Sequence, residues 1–194
     1  MNRIIAVAAA LSLAAACGDS EASEQPSTDA AAAAAPASTS PSPAVTDPQI
    51  AAIVVAANQV DIEAGELARE RATDPRVKEF AERMVTDHTG VNEAATALVT
   101  RLGVTPEPNA TSQQLTQDGE AKRAELQGQS GAAFDRAYVA NEVAYHQAVL
   151  DAIDQTLIPS AQNAELRALL EQTRPAIQAH LDHARQLQTS LGAQ

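Results

Sequence analysis

Residues 47–102 read DPQIAAIVVAANQVDIEAGELARERATDPRVKEFAERMVTDHTGVNEAATALVTRL, and this stretch decides the fold. Its apolar residues return at helical spacing, with no sustained strand alternation. Asp47-Pro48 is a start signal: a short capping side chain, then a ring whose fixed φ suits the first helical position. Ile50, Ile53, Val54, Ala57, Val60, Ala64, Leu67 and Ala68 then form one stripe, which predicts a helix to about Ala72. Thr73-Asp74-Pro75 repeats the signal at once. The turn is therefore tight, and the second helix must run back antiparallel to the first. It carries Val77, Phe80, Met84, Val91, Ala95, Leu98 and Leu102, and Gly103 stops it.

Toward the C-terminus the pattern stays helical. A loop with Pro106 and Pro108 precedes a weaker helix from Thr111 to about Gln127, whose only large apolar residues are Leu115 and Leu126. Gly128 and Gly131 break it. A third long helix is expected from about Ala132 to Leu157, closed by Pro159-Ser160. A fourth is expected from about Ala161 to Leu191, with a kink at Pro175, which lacks a backbone donor and crowds the preceding turn. Four long amphipathic helices make an all-α four-helix bundle over residues 48–194. The segment from Gly103 to Ser130 is too long for a hairpin loop. It resembles the crossover of ferritin-like bundles, with a short extra helix inside it; alternatively, that helix runs into the next as one kinked rod.

Toward the N-terminus the character changes. Residues 1–16 read as a signal peptide: Arg3 supplies the positive start, and Ile4 to Ala16 is charge-free and apolar. That run is about 13 residues, shorter than the roughly 20 that a spanning helix needs. It ends Leu13-Ala14-Ala15-Ala16-Cys17, and small residues before a lone Cys resemble a bacterial lipobox. Cys17 would then be acylated, anchoring the protein to a bacterial membrane, the outer membrane first, on its periplasmic side. Residues 17–47 are rich in Ala, Ser, Thr and Pro and read as a disordered linker, because they bury too little to offset ordering entropy.

Composition narrows the function. The 194 residues carry 13 Lys+Arg against 25 Asp+Glu, a net charge of −12, and only 2% are aromatic. No nucleic-acid partner is expected, since both the cationic footprint and the stacking rings are missing. A single Cys supports neither a disulfide framework nor a thiolate zinc site. There is no Gly-x-Ser-x-Gly elbow, phosphate-binding Gly-rich loop or dinucleotide fingerprint, so no catalytic residue is assigned.

The ionisable residues on the apolar stripes carry the remaining information. Asp61 projects with the core residues of the first helix, and His88 continues the series Phe80, Met84 on the second. Glu142 falls among Phe134, Tyr138, Tyr145 and Val149 on the third, with His146 beside it toward Val139 and Leu150. His180 falls with Ile177, Ala184 and Leu187 on the fourth, and His183 lies at its edge. Inward polar groups are costly unless paired or metal-bound, and here every helix has one. Counting from the turns puts Asp61 level with His88, and Glu142 rather than His146 level with His180. Asp87 diverges from His88 by about 100° around the helix and is not expected to orient it.

The stretch VKEFAERMVTDHTGVN (77–92) resembles the VKxFAxxMVxDHxxxN segment of the domain of unknown function 4142 family, a group of exported bacterial proteins with a ferritin-like fold. VDIEAGELA (60–68), SGAAFDRAYV (130–139) followed by His146, and PAIQAHL (175–181) resemble its other helices. The resemblance spans about residues 50–190 and implies fold and export. It implies no activity, because the family has none settled. Its characteristic positions map to Asp61, His88, His146 and His180, with Asp61 standing where the family usually has Glu. The paired Glu-x-x-His motifs of di-iron ferritins are missing.

Two readings of the inward residues follow. In one, Asp61, His88, Glu142 or His146, and His180 bind a transition metal (iron, zinc, copper or manganese) for metal buffering or protection against oxidants. In the other they form a metal-free polar layer that sets helix register. The protein would then be a non-catalytic envelope or stress-related protein acting through a protein partner or a second copy of itself.

Overall fold

The structure, a computed structural model, describes residues 45–192. The signal peptide, Cys17 and all but the end of the linker lie outside those residues. The described chain is helical: α1 Asp47–Arg71, α2 Pro75–Leu102, α3 Ala110–Gln127, α4 Gly131–Ala152, a π-helical turn Ile153–Leu157, the single turn α5 Ile158–Ser160, and α6 Ala164–Gly192. Among the described residues, no helix is long and apolar enough to cross a membrane.

Local chemistry sets most of these ends. Asp74 caps α2 by accepting a hydrogen bond from Arg76 N at 2.9 Å. Asn109 and Ser112 cap α3 reciprocally, each side-chain oxygen accepting from the other's backbone N–H at 2.9 Å. Gly103 ends α2 at φ 66°, a conformation that a side chain would disfavour. Two boundaries differ from the sequence reading. Thr46, not Asp47, is the residue before α1, and Val45 already packs on the core, so the linker ends earlier than residue 47. The Asp47 carboxylate instead crosses to the α5–α6 turn, accepting from Gln162 N at 2.8 Å and Asn163 N at 2.9 Å. Asn163 Oδ1 then accepts from Glu165 N and Leu166 N, which starts α6 at Ala164 rather than Ala161. The helix runs on through Pro175.

The helices' directions follow from their contacts. α3 lies along α1: Gly119 sits on Val60, Arg123 pairs with Glu63, and Arg71 donates to Gln129 O. The numbers rise together, so α3 and α1 are parallel. A Cβ on Gly119 would stand 2.6 Å from Val60 Cγ2, so glycine permits this approach. α3 thus carries the chain back along the bundle after α2, as a helix separate from α4. α4 starts beside the α1–α2 turn and runs antiparallel to α1, since Tyr145 on α4 reaches Ala57 O. α6 runs antiparallel to α4, as the Arg174–Asp154 and Arg185–Gln147 contacts require.

The interior has two apolar cores. One gathers Phe80, Met84, Phe134, Tyr138, Leu187 and Leu191 toward the α1–α2 turn. The other gathers Ile50, Ile53, Leu98, Leu150, Leu166 and Leu181 toward the α4–α6 turn. Each fully buried large side chain contributes about 2 kcal/mol of burial. Between the cores lies a layer of polar residues.

The α1–α2 turn depends on one buried carboxylate from α4. Asp135 is 2% exposed and accepts from Thr73 N at 2.9 Å, Thr73 Oγ1 at 2.6 Å and Asp74 N at 2.9 Å. Asp135→Ala would orphan three donors at once. We expect it to lower unfolding free energy by about 3 kcal/mol in urea titration, several times the loss from a surface Asp→Ala control.

Candidate metal centre

Asp61, His88, Glu142, His146 and His180 are all buried, between 0% and 4% exposed. Four helices bring Asp61, His88, His146 and His180 to one level. The three imidazoles come from α2, α4 and α6 and form a nearly equilateral triangle, with centroids 5.6 Å (His88–His146), 5.3 Å (His88–His180) and 5.4 Å (His146–His180) apart. One ligand nitrogen from each lies within 4.8 Å of the others. Asp61 Oδ2 enters from α1, 2.8 Å from His88 Nε2 and 3.3 Å from His146 Nε2. Glu142 stands one turn up α4, its Oε2 3.5 Å from His146 Nδ1. His183 stays outside the group, half-buried with its ring 5.1 Å from Phe80.

The outer nitrogen of each ring is held by a hydrogen-bond acceptor. His88 Nδ1 faces Asn58 Oδ1 at 2.7 Å, and the Asn58 amide is itself fixed because its Nδ2 donates to Val54 O at 2.8 Å. His146 Nδ1 faces Glu142 O at 3.0 Å. His180 Nε2 faces the Asp87 carboxylate at 2.9 Å. Each outer nitrogen must therefore carry the hydrogen, which leaves a lone pair on the inner nitrogen of the neutral ring. Those inner atoms are His88 Nε2 and His146 Nε2, which face Asp61 Oδ2, and His180 Nδ1, which has no hydrogen-bond partner among the described residues. Both Asp61 carboxylate oxygens are buried without a backbone donor, and the side chains that face them are His88, His146 and the Glu142 carboxyl. Asp61 and the three rings thus turn their acceptor atoms toward one another. Such a set is repulsive unless positive charge lies among them, either a proton or a metal ion. In a tetrahedral zinc site, ligands about 2.1 Å from the ion stand about 3.4 Å from one another. The separations here bracket that value. The outer contacts are those that orient metal-bound imidazoles.

Burial pushes Asp61 up, but the charge and hydrogen bond of His88, with His146 and a hydrogen bond from Glu142 behind them, prevail and hold it down at about 2. Burial lowers His180 to about 4 and also lowers His146. Burial, then the facing Asp61 charge, pushes Glu142 well above the usual carboxylate range. Tyr138 and Tyr145 are raised first by burial; the Tyr145 hydroxyl donates to Ala57 O at 2.8 Å.

The height estimate from the turns holds for Asp61 and His88 but fails for α4 and α6. His146, not Glu142, is level with His180. Residues 161–163 belong to the turn that Asp47 and Asn163 cap, and the Arg174–Asp154 and Arg185–Gln147 contacts then set the register of α6 on α4, which puts His180 nearer the level of His146 than of Glu142. Two supporting residues escaped the sequence reading. Asp87 does point away from His88, but toward His180 on α6. Asn58 was legible in principle, as a polar residue one turn before Asp61 on the same face.

A buried His with a lowered value resists protonation that the unfolded chain accepts. Its contribution to stability is complete above about pH 6.5 and is lost as pH falls toward about 4. Glu142, raised in the fold, works in the opposite sense over this range. We therefore expect a difference between variants: chelator-treated His180→Asn should lose less stability between pH 7 and 4.5 than chelator-treated wild type, measured by urea midpoints. Equal losses would mean His180 titrates as in the unfolded chain.

No curated protein and no solved structure matches the chain. One family model does, over residues 28–187, which is most of its length and includes every residue of the centre. The chain belongs to the family described as Domain of unknown function (DUF4142).

Proposed function

We propose that this is a lipid-anchored protein of the bacterial cell envelope that holds one transition-metal ion, for metal buffering or protection against oxidants. The observation that carries the reading is the convergence of four buried groups that turn their acceptor atoms toward one another. His88 Nε2, His146 Nε2, His180 Nδ1 and Asp61 Oδ2 would be the ligands. Three imidazoles and a carboxylate suit zinc, iron, copper or manganese. Glu142, whose carboxyl burial and the Asp61 charge push well above the usual carboxylate range, lies beside Asp61 rather than in the ligand set as a second oxygen. Two triads share His146, so one centre fits this chain better than a separated di-metal pair.

The course of the helices supports the ferritin-like reading. α1 and α2 form one antiparallel pair, α4 and α6 another, and α3 provides the crossover. Export and anchoring rest on the apolar leader and Cys17. The net charge of −12 suits a tethered domain that must stay soluble.

Elemental mass spectrometry on the full chain, purified without chelator or affinity histidines, should find about one ion per chain. His88→Ala/His180→Ala should fall to about a tenth of that. Asp87→Asn, which touches no proposed ligand atom but loosens the hold on His180, should weaken metal affinity about 10- to 100-fold with little change in stability. No metal after reconstitution, with the double variant merely less stable, would return the histidines to a structural polar layer and point to a protein partner instead.

A further inference from the structure

A cavity of about 350 Å³ adjoins the centre. It begins as a cleft between α3 and α4, floored by Ala57 and Val60 of α1, and runs inward to Asp61, His88 and His146. Past these it reaches Leu170 and Ile177 of α6. A second cavity of about 300 Å³ meets it at His88, Val91 and Ile177 and opens between α2 and α6 beside Asp87 and His180. The layer thus has an aliphatic approach on one side and a more polar one on the other.

The first cavity is not a packing defect of ordinary size. A cavity of about 150 Å³ suffices to hold benzene, and protein interiors leave few voids larger than a water molecule. Its walls are aliphatic along most of their length, so water there would find few partners. They include Leu115 of α3, Val149 of α4, and Ile153 and Leu157, which the π-helical turn brings to the same space. The inner end is polar through Asp61, His88 and His146, whose inward atoms are acceptors, and on the α3 side Asp118, Lys122 and Arg123 also line the cavity. α3 closes the outer side with few buried residues, Ser112 and Leu126, and can serve as a movable wall.

We propose that this cavity binds a neutral, single-chain aliphatic molecule bearing a hydroxyl group, its tail between α3 and α4 and its hydroxyl at Asp61, His88 and His146. At the inner end a hydroxyl supplies a donor to these acceptors; an ionised carboxylate there supplies only further acceptors. The volume suits a molecule of about ten to fifteen non-hydrogen atoms, judged against benzene in its smaller cavity. The inference names the ligand class of the proposed metal centre, where the hydroxyl oxygen would face the ion. It stands or falls in metal-free protein, apart from whether an ion binds.

The test uses the chelator-treated full chain and the small neutral fluorophore 1-aminonaphthalene, which lies within that size. Saturable fluorescence enhancement is expected, displaced by decanol and about tenfold less well by decanoate at pH 8. Val149→Phe and, separately, Leu115→Trp fill the cavity away from every proposed ligand. Both should abolish probe binding while thermal stability and metal content match wild type. Absence of saturable probe binding, equal displacement by decanoate, or undiminished binding in both filled variants would overturn the inference. Probe binding lost on filling, in a protein that never takes up metal, would keep the inference and defeat the metal reading alone.

Discussion

The structure turns on the approach of Asp61 Oδ2 to His88 Nε2, 2.8 Å apart and both buried. Two acceptors cannot rest that close without positive charge between or upon them. His146 and His180 enlarge the demand, each presenting another inward lone pair. The surrounding hydrogen bonds make it permanent, because Asn58, the Glu142 carbonyl and Asp87 hold the outer nitrogens in the donor role. The layer holds every outer nitrogen on an acceptor and turns the inner ones toward Asp61 and one another.

The rest of the bundle holds that layer at a fixed height. The cores on either side give each helix a dry contact above and below it. Asp135 pins the turn between α1 and α2, which keeps Asp61 and His88 level. Asp47 pins the turn before α6, the helix that carries His180. Both are carboxylates that cap a turn made by distant residues, and both act on the centre only through helix translation. A slip of one turn along any helix would move its side chain by about 5.4 Å, out of reach of a shared ion.

Much of this was legible in the residues. The repeated Asp-Pro and Thr-Asp-Pro signals marked the starts of α1 and α2, and Gly103 marked the end of α2. The stripes identified Asp61, His88, Glu142, His146 and His180 as inward. The errors were of one kind. Asp47 seemed a cap for its own helix and instead caps the turn before α6. Glu142 seemed level with His180 because counting from the turn misses the register that the Arg174–Asp154 and Arg185–Gln147 contacts set. Asp87 seemed idle because its own neighbour on α2 was the only histidine considered.

The sequence by itself determined the number of long helices, most of their ends, the face on which each ionisable side chain lies, and the family. Those properties depend on residues within a turn or two of one another, where the 3.6-residue period and capping chemistry act. Tertiary structure alone decided the level of each side chain, which imidazole nitrogen faces inward, and the partnership of Asp87 with His180 across 93 residues of chain. It also decided that an aliphatic cavity ends on the centre. These depend on how far whole helices slide and on which distant group reaches a given atom. No spacing along the chain records either, because packing and caps from remote residues set both.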